Sequence, residues 1–287
     1  MKKLFGGLNL TWFKLIIFAI CAGVYTAVMA MIPGLLETSF HDIAVSFEVW
    51  ILFGVIIIAN SKSPIDSALK CLVFFLISQP LVYLVQDLVN HSSLFITYYR
   101  NWVMWTVACI PMGFLGYYIK KFNTLGLAIL LPIIIFLGYH LTGFVSEAMF
   151  MFPNHLLSAL FCVATMIIYP LYLFDNKLIK RIGVVSSIVI ASLAIGYALM
   201  NPPVYETILF SNSEERPLKE GYKAYFKDKK YGTIEVKYDT KHGIDDYVLE
   251  AKFTHGGKTE FTIEDNEGNK KEYTITIKRN TYSFKEK

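Results

Sequence analysis

The sequence predicts a membrane-spanning all-α bundle of about seven helices, followed by a small all-β domain. Three observations carry that reading. The chain of 287 residues is 54% hydrophobic and only 17% charged, where soluble domains run near a quarter charged. Charge is segregated: residues 1–203 hold 11 Lys/Arg and 7 Asp/Glu, whereas residues 204–287 hold 16 of each. The hydrophobic pattern changes at the same point, from long continuous runs to alternation. The expected domains are therefore a transmembrane helical domain over 1–203 and a β-sandwich-like domain over 204–287.

A helix crosses the ~30 Å hydrocarbon layer in ~20 residues. Seven runs reach that length, near 12–33, 42–60, 71–90, 102–120, 125–147, 154–174 and 182–201. Polar links separate them, namely SKSPIDSALK, NHSSLFITYYRN, KKFN, FPN and DNKLIKR, and links this short favour antiparallel neighbours. Helices are required because lipid cannot satisfy unpaired backbone groups. The first run also fits a signal peptide cleaved after Ala30, but its apolar stretch is long and continues to Pro33, which favours an uncleaved anchor. Pro80, Pro111, Pro132 and Pro170 fall inside runs and predict kinks. Gln79 is placed either to satisfy a carbonyl freed by Pro80 or to point into the bundle.

The basic residues set orientation. With the N-terminus in the cytoplasm, Lys2, Lys3, Lys14, Lys62, Lys70, Lys120, Lys121, Lys177, Lys180 and Arg181 fall inside, and only Arg100 falls outside. Seven spans then place the C-terminal domain outside the cell membrane. Tyr98, Tyr99, Trp102 and Trp105 read as an aromatic belt at the outer interface.

Beyond Val204, apolar residues alternate with charged ones: Ile234, Val236 and Tyr238; Leu249, Ala251 and Phe253; Phe261 and Ile263; Tyr273, Ile275 and Ile277. Period two predicts five or six antiparallel strands with one buried face. HGGK at 255–258 and DNEGN at 265–269 supply turns. His242 and His255 fall in or near turns and read as exposed. Cys21, Cys71, Cys109 and Cys162 all lie in apolar runs without metal-ligand spacing, so they read as small hydrophobes.

Two resemblances extend this reading. The run FTIEDNEGNKKEYTITIKRN resembles the closing hairpin of bacterial immunoglobulin-like and cadherin-like extracellular modules, which implies a spacer or adhesive surface. The segments NSKSPIDSALKCLVFFLISQPLVYLVQ and GYYIKK…GYH resemble a group of uncharacterised polytopic membrane proteins of Gram-positive bacteria. That likeness implies a bacterial cell membrane and carries no mechanism.

Candidate site residues follow from depth. His41, His91, His140 and His155 fall toward the outer side, as do Glu37, Asp42, Glu48, Asp87 and Glu147. His41 and Glu48, like His140 and Glu147, are seven apart on one helix face, ~10.5 Å along the axis and too far to touch. Asp87 and His91 are four apart. Glu48 lies roughly 10 Å below the outer boundary and His140 about 6 Å. Ionisable groups at that depth face protein or a cavity. Glu48, Asp87 and His140, with Gln79 and Glu147, are thus the candidate ligand-binding residues. His41, His91 and His140 are the candidates for a metal.

Three functions are weighed. The first is a non-enzymatic envelope protein that presents the β domain to another membrane or envelope protein, or to the wall. The second is an ion- or small-solute-binding bundle with an outward-facing acidic/His pocket. The third is a membrane metal-dependent hydrolase, similar to the alkaline ceramidase and adiponectin-receptor class. That class carries an H-x-x-x-H pair in a late helix, and the last run here, IGVVSSIVIASLAIGYALM, has no histidine. No serine elbow, H-E-x-x-H helix or phosphate loop is present. The expected partner is the lipid bilayer. No cofactor is expected, and the net charge of +4 suggests no nucleic acid.

Overall fold

The computed structural model describes residues 2–91, 94–240, 243–278 and 281–287. It divides into two compact units, Met1–Phe144 with His155–Tyr197, and Val145–Asn154 with Ala198–Lys287. The helical unit is built from α1 (Trp12–Met31), α2 (Ser39–Val45), α3 (Phe47–Ala59), α4 (Pro64–Asn90), α5 (Leu94–Gly116), α6 (Asn123–Phe150), α7 (Leu156–Leu173) and α8 (Lys177–Met200). The last turns of α6 and of α8 belong to the second unit. Among the described residues, six helices are long and apolar enough to cross a membrane, or seven if α2 and α3 count as one broken span. Large side chains such as Phe13, Met104 and Leu193 remain exposed along these helices. Hydrocarbon accommodates such a surface and water does not.

Two helices begin earlier than their apolar runs. Ser63 caps α4 by accepting from Asp66 N at 3.1 Å, and Pro64 follows at the first helical position. Proline there costs nothing, because its missing N–H would have no intrahelical partner. Asp66 also accepts from Lys62 N and Lys70 Nζ, both at 2.8 Å. Capping chemistry thus draws PIDSALK, expected in a link, into the helix. The stretch LFITYYRN likewise belongs to α5. The expected second span is interrupted: α2 and α3 meet at Ser46 with a 46° bend. The four internal prolines lie within continuous helices.

Small residues allow close helix contact. A Cβ added at Gly23 of α1 would lie 2.6 Å from Ser78 O of α4, and one at Gly113 of α5 would lie 2.9 Å from Ala68 Cα of α4. The N-terminal segment is held at the bundle's end. Asn60 Oδ1 accepts from Leu8 N at 2.7 Å, and Asn60 Nδ2 donates to Leu4 O at 2.5 Å. Lys120 Nζ donates to Phe5 O at 2.6 Å, and the buried Phe5 ring stacks on Tyr172.

The second unit contains β1 (Tyr205–Ser211), β2 (Lys223–Phe226), β3 (Gly232–Asp239), β4 (Asp246–Phe253), β5 (Gly257–Glu264), β6 (Lys270–Ile277) and β7 (Tyr282–Glu286). They form two antiparallel sheets, ordered β1-β4-β3 and β2-β5-β6-β7. An immunoglobulin constant domain would place its first, second, fourth and fifth strands together, so this order is different. Both sheets feed one core, including Leu249, Phe253, Phe261, Tyr273 and Ile275, and Phe150 joins it. Phe261 and Tyr273 are cross-strand partners whose rings stack at 4.9 Å. DNEGN closes the β5–β6 hairpin, with Asp265 Oδ1 accepting from Glu267 N and Asn269 N. HGGK instead joins β4 to β5, which lie in different sheets. Gly232 requires glycine, because its φ is +127° and a Cβ would meet Lys252 O.

The alternation breaks at the end of β3. Tyr238 is 51% exposed rather than buried. Its ring packs edge-on against Tyr247, and its hydroxyl donates to Asp245 O at 2.9 Å, so it covers the strand end instead of filling the core. His255 is exposed, and His242 lies outside the described residues.

Replacing Gly23 with Ala is expected to force α1 off α4 and to cost about 1–3 kcal/mol, as overpacking does. Gly54→Ala, with open space around the site, serves as the control and should not destabilise. Thermal unfolding of both variants in detergent checks this. Equal midpoints would mean that the α1–α4 contact is not tight.

Candidate functional site

The break at Ser46 positions the central feature. Glu48 sits in the first turn of α3 and is fully buried. A helix start favours an anion through its unpaired N–H groups and aligned dipoles. The opposing group is His140 of α6, whose Nδ1 lies 2.8 Å from Glu48 Oε1. Charge and proximity set this contact rather than an aligned N–H···O bond, since Oε1 gains no hydrogen bond of good geometry. Among the described residues neither Oε2 nor the buried Ser46 Oγ makes a hydrogen bond of good geometry, although the Ser46 hydroxyl lies beside the carboxylate. The His140 side chain is 25% exposed, so the pair has one closed end and one open end.

Aromatic rings surround the imidazole. Phe136, Tyr139 and Phe47 lie with centroids 4.5, 5.7 and 5.9 Å away. Phe47 in turn packs on Trp102 and Trp105 of α5, at 5.1 and 5.7 Å. These two tryptophans, expected in an interfacial belt, thus also form a helix–helix contact.

The other expected residues are distributed. Asp87 Oδ2 accepts from Phe95 N at 2.9 Å and so satisfies a donor at the start of α5. Gln79 is buried on α4, and its Nε2 has no partner among the described residues. It therefore points into the bundle and satisfies no carbonyl freed by Pro80. Glu147 is half-buried in the second unit, seven residues beyond His140. His41 is half-buried on α2, and His91 is exposed at the end of α4. Among the described residues, His41, His91 and His140 join no cluster of three metal-ligating side chains.

A second polar cluster was not expected from the sequence. Asp42 Oδ2 lies 2.6 Å from His155 Nδ1 and accepts from Ser158 Oγ at 2.8 Å. Ser39 Oγ accepts from Leu157 N at 3.0 Å and Ser158 N at 3.2 Å. Ser39 and Asp42 are three apart on α2, and His155 and Ser158 are three apart at the start of α7. Each pair therefore shares a helix face, and that matched spacing is the signal present in the sequence. His155 makes no side-chain cap of its own, so α2 supplies the cap for α7 from another part of the chain.

Apolar helices of spanning length and an appended β unit fit the class of multi-pass membrane proteins. No known protein family, curated protein or solved structure matches this chain.

Asp42→Ala removes two hydrogen bonds to a charged group, each of a kind worth about 1.5–3 kcal/mol. Ser39→Ala removes a cap worth about 1 kcal/mol. Thermal midpoints in detergent should fall in that order, Asp42→Ala furthest. An Asp42→Ala protein as stable as the parent would show that α2 and α7 do not depend on this junction.

Proposed function

We propose that this chain is an integral membrane protein of the bacterial cell envelope. Its N-terminus lies in the cytoplasm, and it displays its β domain outside for contact with another envelope protein or the wall. The observation that supports this reading is the separate compact β unit. It has its own core and equal numbers of acidic and basic residues in 204–287, and it follows the last apolar helix after residues 201–204. The ten-to-one distribution of basic residues supports the orientation.

Protease added to intact protoplasts is expected to remove the C-terminal 80 or so residues and leave the apolar part, whose helices lipid protects. Deleting residues 204–287 should abolish capture of the envelope partner by cross-linking in cells. A protected C-terminus overturns the orientation, and undiminished capture by the truncated chain overturns the display role.

The contact between Glu48 and His140 favours a second reading, in which the helical unit binds a small cation. A buried carboxylate with an unpartnered oxygen at a helix break resembles the way discontinuous spans form ion sites. Sodium ion and methylammonium are suitable probes. Binding measured by equilibrium dialysis of the purified protein should weaken at least tenfold in Glu48→Gln. Unchanged binding rejects the role given to Glu48.

A further inference from the structure

We infer that the Glu48–His140 pair is a proton-binding site, in which the unpartnered Oε2 of Glu48 takes up the proton and His140 is the route by which it comes and goes. The inference rests on the cation-binding reading and narrows the cation to a proton.

The geometry carries it in three steps. Glu48 is fully enclosed, and an isolated carboxylate in such surroundings is costly unless it is paired or neutral. His140 Nδ1 at 2.8 Å supplies the pairing. One proton shared by the two groups leaves the pair without net charge, whether written as carboxylate with imidazolium or as acid with imidazole. Oε2 is the remaining acceptor, buried and without a partner among the described residues. A carboxylate oxygen in that position accepts a further proton with only the neighbouring Ser46 hydroxyl to reorient. The product is a neutral acid beside an imidazolium, whose charge the rings of Phe47, Phe136 and Tyr139 accommodate.

Other titratable groups face the carboxylate. Cys162 and Tyr169, both on α7, are close enough to feel its charge. Both are buried, and the Tyr169 hydroxyl has no partner among the described residues. Neither is positively charged in any form, so His140 alone among these neighbours can balance an ionised Glu48. Access follows the same asymmetry: the imidazole is partly exposed while the carboxylate is not. A proton therefore reaches Oε2 past the ring. Its uptake removes the charge attraction that links α3 to α6, at the point where the α2–α3 span already bends.

Infrared difference spectroscopy of the full-length protein in lipid tests this from about pH 8 down through the range where carboxyl groups titrate. A protonated-carboxyl carbonyl band should grow as pH falls and shift when water is replaced by heavy water. It should be missing in Glu48→Gln. In His140→Gln the same band should persist to at least one pH unit higher, because the carboxylate has lost its counter-charge. If Glu48→Gln does not fold, the displaced midpoint in His140→Gln makes the assignment on its own. A band that does not respond to pH, or whose midpoint is the same in His140→Gln, overturns the inference. So does a band that moves with sodium ion at constant pH, an outcome that leaves the cation-binding reading standing. Loss of sodium and methylammonium binding as an effect, with the titrating band intact, instead overturns only the broader reading of the site as one for larger cations.

Discussion

The structure depends on how polar atoms are paired inside an apolar bundle. An unsatisfied buried polar group costs of order 1–3 kcal/mol or more, and lipid offers no water to relieve it. Most polar groups of the helical unit accordingly have local partners. Thr165 and Ser187 donate back to carbonyls of the preceding turn, and Thr26 donates to Ala44 O. The buried Lys70 pairs with Asp66 one turn away. Asn60 and Lys120 satisfy backbone groups of the N-terminal segment. Against that pattern, the buried atoms without a hydrogen bond of good geometry among the described residues stand out: both oxygens of Glu48, Ser46 Oγ, Gln79 Nε2, Ser67 Oγ, Ser78 Oγ and Tyr169 OH. Ser46 and Glu48 lie together at the one break in a span.

The helices were legible in the sequence because hydrocarbon thickness and apolar run length are both one-dimensional quantities. What averaging over a run cannot register is a change of backbone direction. Residues 42–60 read as one span, and only Ser46, a polar residue with good capping chemistry, hinted at the bend. Helix starts were missed for a related reason. Hydropathy places the beginning of α4 at the first apolar residue, whereas Ser63, Pro64 and Asp66 place it where backbone donors are satisfied. In the β unit, period two identified β3 to β6. The short β2 and the outer strands β1 and β7 carry weak alternation, since an edge strand need bury little. Tyr238 shows the limit of the same rule: it keeps the strand's period but lies at its end, where covering a turn replaces filling a core.

The site was half legible. Depth alone singled out Glu48 and His140 as the ionisable residues within the apolar layer, and they meet. The sequence could not say that they meet. Spacing along one helix suggested the couples His41 with Glu48 and His140 with Glu147, whereas the contact joins the second member of one couple to the first member of the other. Helix faces follow from spacing, but which faces oppose one another follows from packing, which small residues such as Gly23 and Gly113 help to set. Asp87 looked equivalent to Glu48 by type and side. Its position near the turn before α5 gives it a backbone donor to satisfy, and that ties it there.

Two histidine–carboxylate contacts in one bundle allow a comparison that neither supports alone. Asp42 and His155 are as close as Glu48 and His140, but they sit within a mesh. The aspartate oxygen also receives Ser158 Oγ, the neighbouring Ser39 caps α7, and no side-chain atom of Asp42 or His155 is left buried without a partner. Replacing either side chain would break several bonds together, so that contact works as a joint. Glu48 stands outside any such mesh. Its helix start favours the anion, its burial opposes it, and the His140 imidazole and the Ser46 hydroxyl lie beside it. The same pair of side-chain types therefore stands in two surroundings, one where the valences around it are filled and one where a buried oxygen is left open among the described residues.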